Sequence, residues 1–361
     1  MKIDFVCKRY YTNKDLLEDR FGRLYHLPIQ LQSLSAEVRV IAIDYRSRTP
    51  AGMNAEGVEF LTVPATPTQL PALVPHLAGL IRERRPDIVI ASGDSHIGYL
   101  ALRLARRVDA RFVFDVYDDY RSFRGNRIPG MKWMFGRAAA GADSVLCAST
   151  SLVSALARIN RHTLLIENGV DRSLFYPQDR DTARQALGLD TNSPVIGYFG
   201  SITPTRGPLL IEACRRLRSG IPDLRLLLAG KKLNIDFAEP WILYQGELPQ
   251  ERIPALIAAC DVVAIPYAVD AFNAMTGACK IAEYLACARP VVATRISDHV
   301  QIFGDVPGSI CEPDPDAMAA ALRHQLHARE IAAFPEEMTW EAIGQMLYQK
   351  LVSLQRPPGF E

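Results

Sequence analysis

The sequence predicts two doubly wound α/β domains, and three observations carry that reading. The chain has 361 residues, beyond the roughly 250–300 at which a single hydrophobic core stops growing. Short apolar runs alternate with longer stretches of helical period, the pattern of βαβ units around a parallel sheet. The alternation breaks where Asn168-Gly169-Val170-Asp171 and Phe175-Tyr176-Pro177-Gln178-Asp179-Arg180-Asp181 gather Gly, Pro and charge, as a surface connection between domains would. The expected domains are therefore 1–170 and 171–341, each Rossmann-like, with a final helix at about 342–361 packing back on the first.

In the first half the expected strands are Lys2–Cys7, Val38–Asp44, Val58–Thr62, Asp87–Ala91, Arg111–Asp115, Ser144–Ala148 and Thr163–Glu167. Helices fall between them, notably Leu70–Arg84 and Ile97–Arg107. The rhythm restarts with strands at Val195–Phe199, Leu224–Ala229, Ile242–Gln245, Val262–Pro266, Pro290–Thr294 and Ser309–Cys311, and a helix over Trp340 to Leu354 ends it. Ligands of such sheets bind beyond the strand C-termini.

Composition narrows the function. Hydrophobic residues make up 48% and charged residues 22%, which is ordinary for a globular chain and argues against extensive disorder. No apolar window is long enough to span a membrane; the best, Ile253 to Val269, contains Asp261 and two prolines. The N-terminus lacks the apolar core of a signal peptide. Seven cysteines, an odd number without Cys-x-x-Cys, read as reduced core residues, and seven histidines form no His-Glu-x-x-His pattern. A cytoplasmic protein is expected. Residues 1–170 carry 23 Lys/Arg against 17 Asp/Glu, and residues 171–361 carry 18 against 23. That excludes the concentrated basic stripe of a nucleic-acid binder, while a mildly basic first half favours an anionic acceptor or lipid surface.

Two stretches carry chemistry. In Val195-Ile196-Gly197-Tyr198-Phe199-Gly200-Ser201-Ile202-Thr203-Pro204-Thr205-Arg206-Gly207-Pro208 a buried strand ends at Gly200, a short loop bears a cation, and Gly-Pro opens a helix. The free amides and dipole of that helix end attract phosphate, and Arg206 adds a full charge; an ordinary βα turn with a surface arginine reads equally well. In Lys280-Ile281-Ala282-Glu283-Tyr284-Leu285-Ala286 a Lys and a Glu three apart share one helix face after the loop Asn273–Cys279. The carboxylate there could accept from ribose hydroxyls while the cation meets phosphate; a modest surface ion pair is the plainer alternative.

The order Asn-Gly-Val-Asp-x-x-x-Phe (168–175), Gly-x-x-x-Pro-x-Arg-Gly (200–207) and Lys-x-x-Glu-Tyr-Leu-Ala (280–286) resembles the GT-B fold glycosyltransferases of family four. The likeness runs on through Gln245-Gly246-Glu247-Leu248-Pro249 and Ala259-Cys260-Asp261-Val262-Val263-Ala264-Ile265-Pro266, and is fainter before residue 168. It implies two domains facing a central cleft. It also implies a retaining, metal-independent enzyme that takes a nucleotide-diphosphate sugar as donor substrate and needs no cofactor. The acceptor would be a glycan or a lipid-linked molecule, and the product a cell-surface polysaccharide. By the same likeness Arg206 holds the donor diphosphate, Glu283 the ribose, and Gly200 and Gly207 line the diphosphate loop. Lys280 supplies a second cation. Lys231, Glu247, Leu248, Met275, Thr276 and Gly277 complete the donor contacts. The sequence departs from the pattern at Ser201, where an arginine is common, and at Met275, where a glutamate is. Those departures motivate the alternative of a non-catalytic sugar-nucleotide-binding or complex-forming protein.

In the first domain, Arg20-Phe21-Gly22-Arg23-Leu24-Tyr25-His26 resembles the family's glycine loop, with Gly22 near donor phosphate. Tyr117 and Asp118 occupy the place of a His-Asp pair found in relatives. A tyrosine does not exchange protons as histidine does near neutrality, so a sugar-orienting role fits it better. Asp179-Arg180-Asp181 and Asp314-Pro315-Asp316 resemble the manganese-binding Asp-x-Asp pairs of GT-A enzymes. The first lies in the connection and the second reads as a helix N-cap, so no metal site is expected. The basic, aromatic stretch of Arg121, Phe123, Arg124, Arg127, Lys132, Trp133 and Arg137 suits either a packed amphipathic helix or peripheral contact with the inner face of the plasma membrane.

Overall fold

The computed structural model describes residues 1–11, 14–277, 279–296 and 298–355. They divide into two compact units. One takes in the described residues of 1–169, 275–277 and 340–355, and the other those of 170–274 and 279–339.

In the first unit β1 (Lys2–Lys8) leads through a short ribbon, β2 (Tyr10–Tyr11) and β3 (Lys14–Asp15), to α1 (Arg23–Ser33). Then come β4 (Glu37–Asp44), β5 (Gly52–Ala55), β6 (Val58–Pro64), α2 (Leu70–Arg84), β7 (Ile88–Ser92) and α3 (Ser95–Arg107). They are followed by β8 (Arg111–Val116), α4 (Met131–Gly141), β9 (Ser144–Cys147), α5 (Thr150–Leu156) and β10 (Thr163–Leu165). Eight strands form one sheet in the order β10-β9-β8-β7-β1-β4-β6-β5. All its pairings are parallel except β5 against β6. The central strands are buried apart from their ends, and Ile88–Ser92 without interruption, because helices cover both faces of a parallel sheet.

The second unit holds α6 (Arg180–Ala186), β11 (Val195–Phe199), α7 (Pro208–Arg218), β12 (Arg225–Ala229), β13 (Ile242–Tyr244) and α8 (Ile253–Ala259). It continues with β14 (Val262–Ile265), α9 (Cys279–Ala286), β15 (Val291–Thr294), α10 (His299–Phe303), β16 (Ile310–Cys311) and α11 (Pro315–Ala328). Its sheet is wholly parallel, in the order β13-β12-β11-β14-β15-β16. The last helix, α12 (Trp340–Leu354), returns to the first unit, where Trp340, Ile343, Leu347 and Leu351 join the core.

Every strand expected from the sequence forms, with ends shifted by at most two residues. The ribbon β2–β3 and the strand β5 carry no alternating apolar signal and went unread. The segment 168–181 carries the chain across the boundary between the units, which falls after Gly169. Val170 and Phe175 are buried in the second unit's core, and Asp179 caps α6 by accepting from the Thr182 amide at 2.8 Å. Gly, Pro and charge there mark caps and turns on a connection that is anchored at Val170 and Phe175 and exposed at Arg172, Ser173, Tyr176 and Pro177. Asp314 caps α11 through the Asp316 and Ala317 amides at 2.9 and 3.1 Å. Both Asp-x-Asp patterns are thus helix starts. Among the described residues no cluster of His, Cys, Asp or Glu has the makings of a metal site, and no helix is long and apolar enough to cross a membrane.

Candidate functional site

Strand order locates the crevice in each sheet. In the second unit the chain builds outward from β11 to β12 and β13, then restarts at β14 on the other side. Loops leaving β11 and β14 therefore diverge to opposite faces and open a crevice at the strand C-termini. Both chemistry-bearing stretches of the sequence end there.

β11 stops at Gly200, whose φ of +148° lies in the region only glycine adopts without strain. A side chain at the neighbouring Gly230 would overlap the Gly200 carbonyl. Arg206 follows, its amide closing a turn on Thr203 O at 3.0 Å, and Gly207 and Pro208 start α7. The Arg206 loop is tied to the end of β14 by the Ala268 amide on Thr205 O at 2.8 Å.

The described partners of the two cations are an amide and aromatic side chains. Arg206 Nε donates to Asn273 Oδ1 at 2.8 Å, and its guanidinium lies over the Tyr267 ring, 4.2 Å from the centroid. Asn273 is fully buried and fixed in turn, its amide donating to Ala268 O and Asp270. Lys280 Nζ donates to Tyr267 Oη at 2.8 Å rather than turning to Glu283, and stands over the Tyr198 ring at 5.6 Å. A Cβ at Gly200 would lie 3.2 Å from that ammonium. Tyr284 locks α9 to β11 by accepting from the Phe199 amide at 3.0 Å.

Electrostatics follow from this packing. Burial pushes the Lys280 pKa down, but Tyr267 and Tyr198 outweigh it and hold the amine above its ordinary value, charged. Burial raises the Glu283 carboxyl to about 7, against the pull of Lys280 and a hydrogen bond from Gln250. Burial holds His299, whose ring lies 5.6 Å from Tyr267, neutral with a pKa of about 4.

Arg206, Gly200, Ser201, Gly207, Lys280 and Glu283 thus gather at one sheet end. Ser201 contributes its carbonyl, which accepts from Tyr198 Oη at 3.0 Å. Lys231 follows β12 and accepts from the Ile202 amide through its own carbonyl at 2.9 Å. Glu247 is exposed, and Leu248 packs on the unit's core.

Met275, Thr276 and Gly277, assigned by sequence to the donor contacts of domain 171–341, belong to the first unit. The Met275 thioether accepts from Arg121 at 3.5 Å, its carbonyl from Ser149 Oγ at 2.9 Å, and Gly277 O from Asn168 Nδ2 at 2.7 Å. Ala278, in the same loop, lies outside the described residues. Tyr267, Asn273 and Tyr198 were missed because each reads as part of an apolar run or a turn.

In the first unit the chain restarts between β1 and β7. Lys8 faces Asp94 at 3.4 Å there, and Arg9 lies 2.8 Å from Asp15 and 3.0 Å from Asp44. Gly22, at φ +68°, has the Tyr11 hydroxyl where a Cβ would stand. Arg23 is buried and pairs with Asp115 through two bonds of 2.6 and 3.2 Å, and reaches Ile166 O and Asn168. Tyr117 is buried edge-on to Tyr11 and Tyr120, and burial drives its pKa well above 10. Asp118 beside it is half-buried. His26 stacks on Trp340 at 5.1 Å. Trp133 is 56% exposed on α4 against Tyr99, while Phe135 and Ala138 point inward. The side chains of Ser122 and Arg124 lie outside the described ones.

Two family models match, the glycosyl transferase 4-like domain over residues 23–169 and glycosyl transferases group 1 over residues 193–328. The chain belongs to the group 1 glycosyltransferases. The group 1 assignment agrees with relatives of known kind. A GDP-mannose-dependent alpha-mannosyltransferase of Mycolicibacterium smegmatis is 28% identical over 81% of this chain and 79% of its own. A D-inositol 3-phosphate glycosyltransferase of Mycolicibacterium gilvum is 30% identical over 44% of this chain, and the match spans only 38% of that relative. Among solved structures, Anabaena HepE in complex with UDP-glucose superposes with a TM-score of 0.75 at 18% identity, covering 98% of this chain and 100% of that one. Sucrose-phosphate synthase of Thermosynechococcus elongatus does so with 0.75 at 16%, covering 98% and 99%. These structures share the GT-B fold, two Rossmann-like domains with parallel sheets.

Proposed function

We propose that this protein transfers a sugar from a nucleotide-diphosphate sugar to a glycan or lipid-linked acceptor, with retention of configuration and without a metal ion. The observation that carries the reading is the pair of cations, Arg206 and Lys280, converging at the β11/β14 switch point above Gly200. Two charges held beside a glycine turn and the start of α7 suit a diphosphate, whose oxygens gain charge as the sugar leaves. The group being electrostatic, no proton or metal is required of it. Glu283, one turn along α9, accepts from the ribose hydroxyls when ionised. Tyr117 and Asp118 orient the sugar, since a phenol buried so deeply keeps its proton. The names of the relatives, with GDP-mannose and UDP-glucose among them, support a nucleotide-sugar donor and leave its base open.

A cytoplasmic setting with peripheral contact through exposed Trp133 and Ile128 belongs to the same reading, as does a product in cell-surface polysaccharide. Thermal shifts across nucleoside diphosphates and their sugar conjugates test the donor site, since a ligand of the native state raises the melting temperature. The anomeric configuration of the product, read by NMR, tests retention. A second reading is favoured by Met275, a thioether on Arg121 where the resemblance expects an acid. It makes the protein a non-catalytic sugar-nucleotide binder. Donor binding with neither transfer nor hydrolysis across acceptor candidates would decide for it.

A further inference from the structure

Both cations of the proposed diphosphate site meet on one side chain that the motifs do not contain. Tyr267 leaves β14 two residues past its end and is 1% exposed, so its position is set by the rigid sheet. Its ring faces the Arg206 guanidinium at 4.2 Å and its hydroxyl accepts from Lys280 Nζ at 2.8 Å. The two contacts use different parts of the tyrosine: the electron-rich face attracts a flat cation, and the oxygen accepts from a compact one. A carboxylate in that place would neutralise the ammonium. A phenol orients it and leaves its charge available.

We propose that Tyr267 is a positioning residue of the diphosphate site, its ring aligning Arg206 and its hydroxyl holding Lys280 as an ammonium beside Gly200. This rests on the donor reading above. The groups facing Lys280 agree with it. Tyr198 stands on β11, Arg206 on the loop after it, Glu283 on α9 and His299 on α10, while Cys279 of α9 faces Tyr267. His299 is neutral and Glu283 titrates near 7. Burial raises the Tyr267 hydroxyl, but Arg206 and Lys280 bring it below its ordinary value, as an oxygen pressed by two cations must be.

The test is calorimetric titration of UDP and of GDP into the natural protein, Tyr267→Phe, Tyr267→His, Lys280→Met and the Tyr267→Phe/Lys280→Met double variant, between pH 7.5 and 9. Phenylalanine keeps the ring under Arg206 and removes the acceptor; histidine keeps a ring and an acceptor nitrogen. Tyr267→Phe is expected to weaken the bound nucleotide about 10-fold at pH 7.5, the scale of one charge-assisted hydrogen bond. The loss should steepen towards pH 9 as Lys280, without its acceptor, gives up its proton. The ligand's own ionisation is common to both proteins, so the difference in slope belongs to the protein. Tyr267→His should stay within about 3-fold of the natural protein, and Tyr267→Phe should cost nothing further once Lys280 is methionine. A Tyr267→Phe protein with natural affinity and slope overturns the proposal. So does a penalty that persists beside Lys280→Met, or a histidine variant as weak as the phenylalanine one. If the natural protein binds neither nucleotide, the donor reading itself fails, which is a different outcome from natural binding with an indifferent Tyr267.

Discussion

At the β1/β7 switch point of the first unit Lys8 faces Asp94, and Arg9 lies between Asp15 and Asp44. Deeper in, Arg23 is closed on Asp115. At the β11/β14 switch point of the second unit, Arg206 meets an amide oxygen and an aromatic face, and Lys280 meets a phenol. The same sheet topology therefore carries two treatments of positive charge. Where a cation is matched by a carboxylate, the pair holds the chain together and its field is spent locally. Where the described hydrogen-bond partner is neutral, the field persists into the crevice and can act on a ligand. A sequence shows the cations alike in both places; the partners distinguish them.

The sharpest break of this comparison is Arg23→Ala. It strands Asp115 in the first unit's core with Ser92 as its remaining described donor. Removing one partner of a buried pair costs about 3–5 kcal/mol. Urea denaturation should show a loss of that order, and a loss under about 1 kcal/mol would mean that Asp115 does not depend on the pair. Next comes Arg206→Ala, for which kcat/KM should fall by roughly 10²–10³-fold, as when one preorganised electrostatic contact is lost. Its melting temperature should hardly move. An intact rate would return that arginine to the solvated surface.

Glu283→Gln has a smaller effect of two signs. Burial raises the folded carboxyl to about 7, above the ordinary glutamate value. The stability linked to its proton is fully present below the unfolded pKa and is lost as pH rises through 7. At pH 8 glutamine removes that penalty, so the variant should melt a few degrees higher than the natural protein. Nucleoside diphosphate affinity should fall about 10-fold at the same pH, and in the natural protein it should weaken as pH drops from 8 to 6. A variant that is both less stable at pH 8 and equally tight would refute the assignment. Met275→Ala should leave nucleoside diphosphate affinity within about 2-fold while changing affinity for the complete donor, because its described contacts are in the first unit. Equal effects on both ligands would place its influence on the diphosphate loop instead. The least change of all is expected from a chelator, which should leave transfer intact; inhibition reversed by manganese would contradict a purely cationic site.

The fold was legible where burial and period coincide. Leu73, Leu77 and Ile81 recur every four residues along Leu70–Arg84, and that helix was read to the residue. So was the unbroken apolar strand Val195–Phe199. The cationic half of the candidate site was legible too, since Gly200, Arg206, Lys280 and Glu283 lie in two short motifs. Its neutral half was not. Asn273 and Arg206 are 67 residues apart, and nothing local distinguishes an asparagine that orients a cation from one that turns a loop. The packing of Met275–Gly277 was not legible for a related reason. A motif fixes the order of residues along a loop, whereas the unit on which the loop packs depends on Ser149 and Asn168, far away in sequence.

The returning helix α12 has a consequence for how the chain is made. Its Trp340, Ile343, Leu347 and Leu351 complete a core whose other fully buried members lie before residue 170. Its Gly344 fits closely against Gln30 of α1. When residue 169 leaves the ribosome, that core lacks a wall and will lack it until the entire second unit has been synthesised. The first unit to emerge is thus the last to be finished, through contacts of very long sequence separation, which are slow to form and expose apolar surface while they wait. The second unit has no such debt to the C-terminus and is free to close its own sheet in the interval. Nascent chains stalled short of residue 340 should therefore present the α1 face to chaperones, however well their second unit has folded.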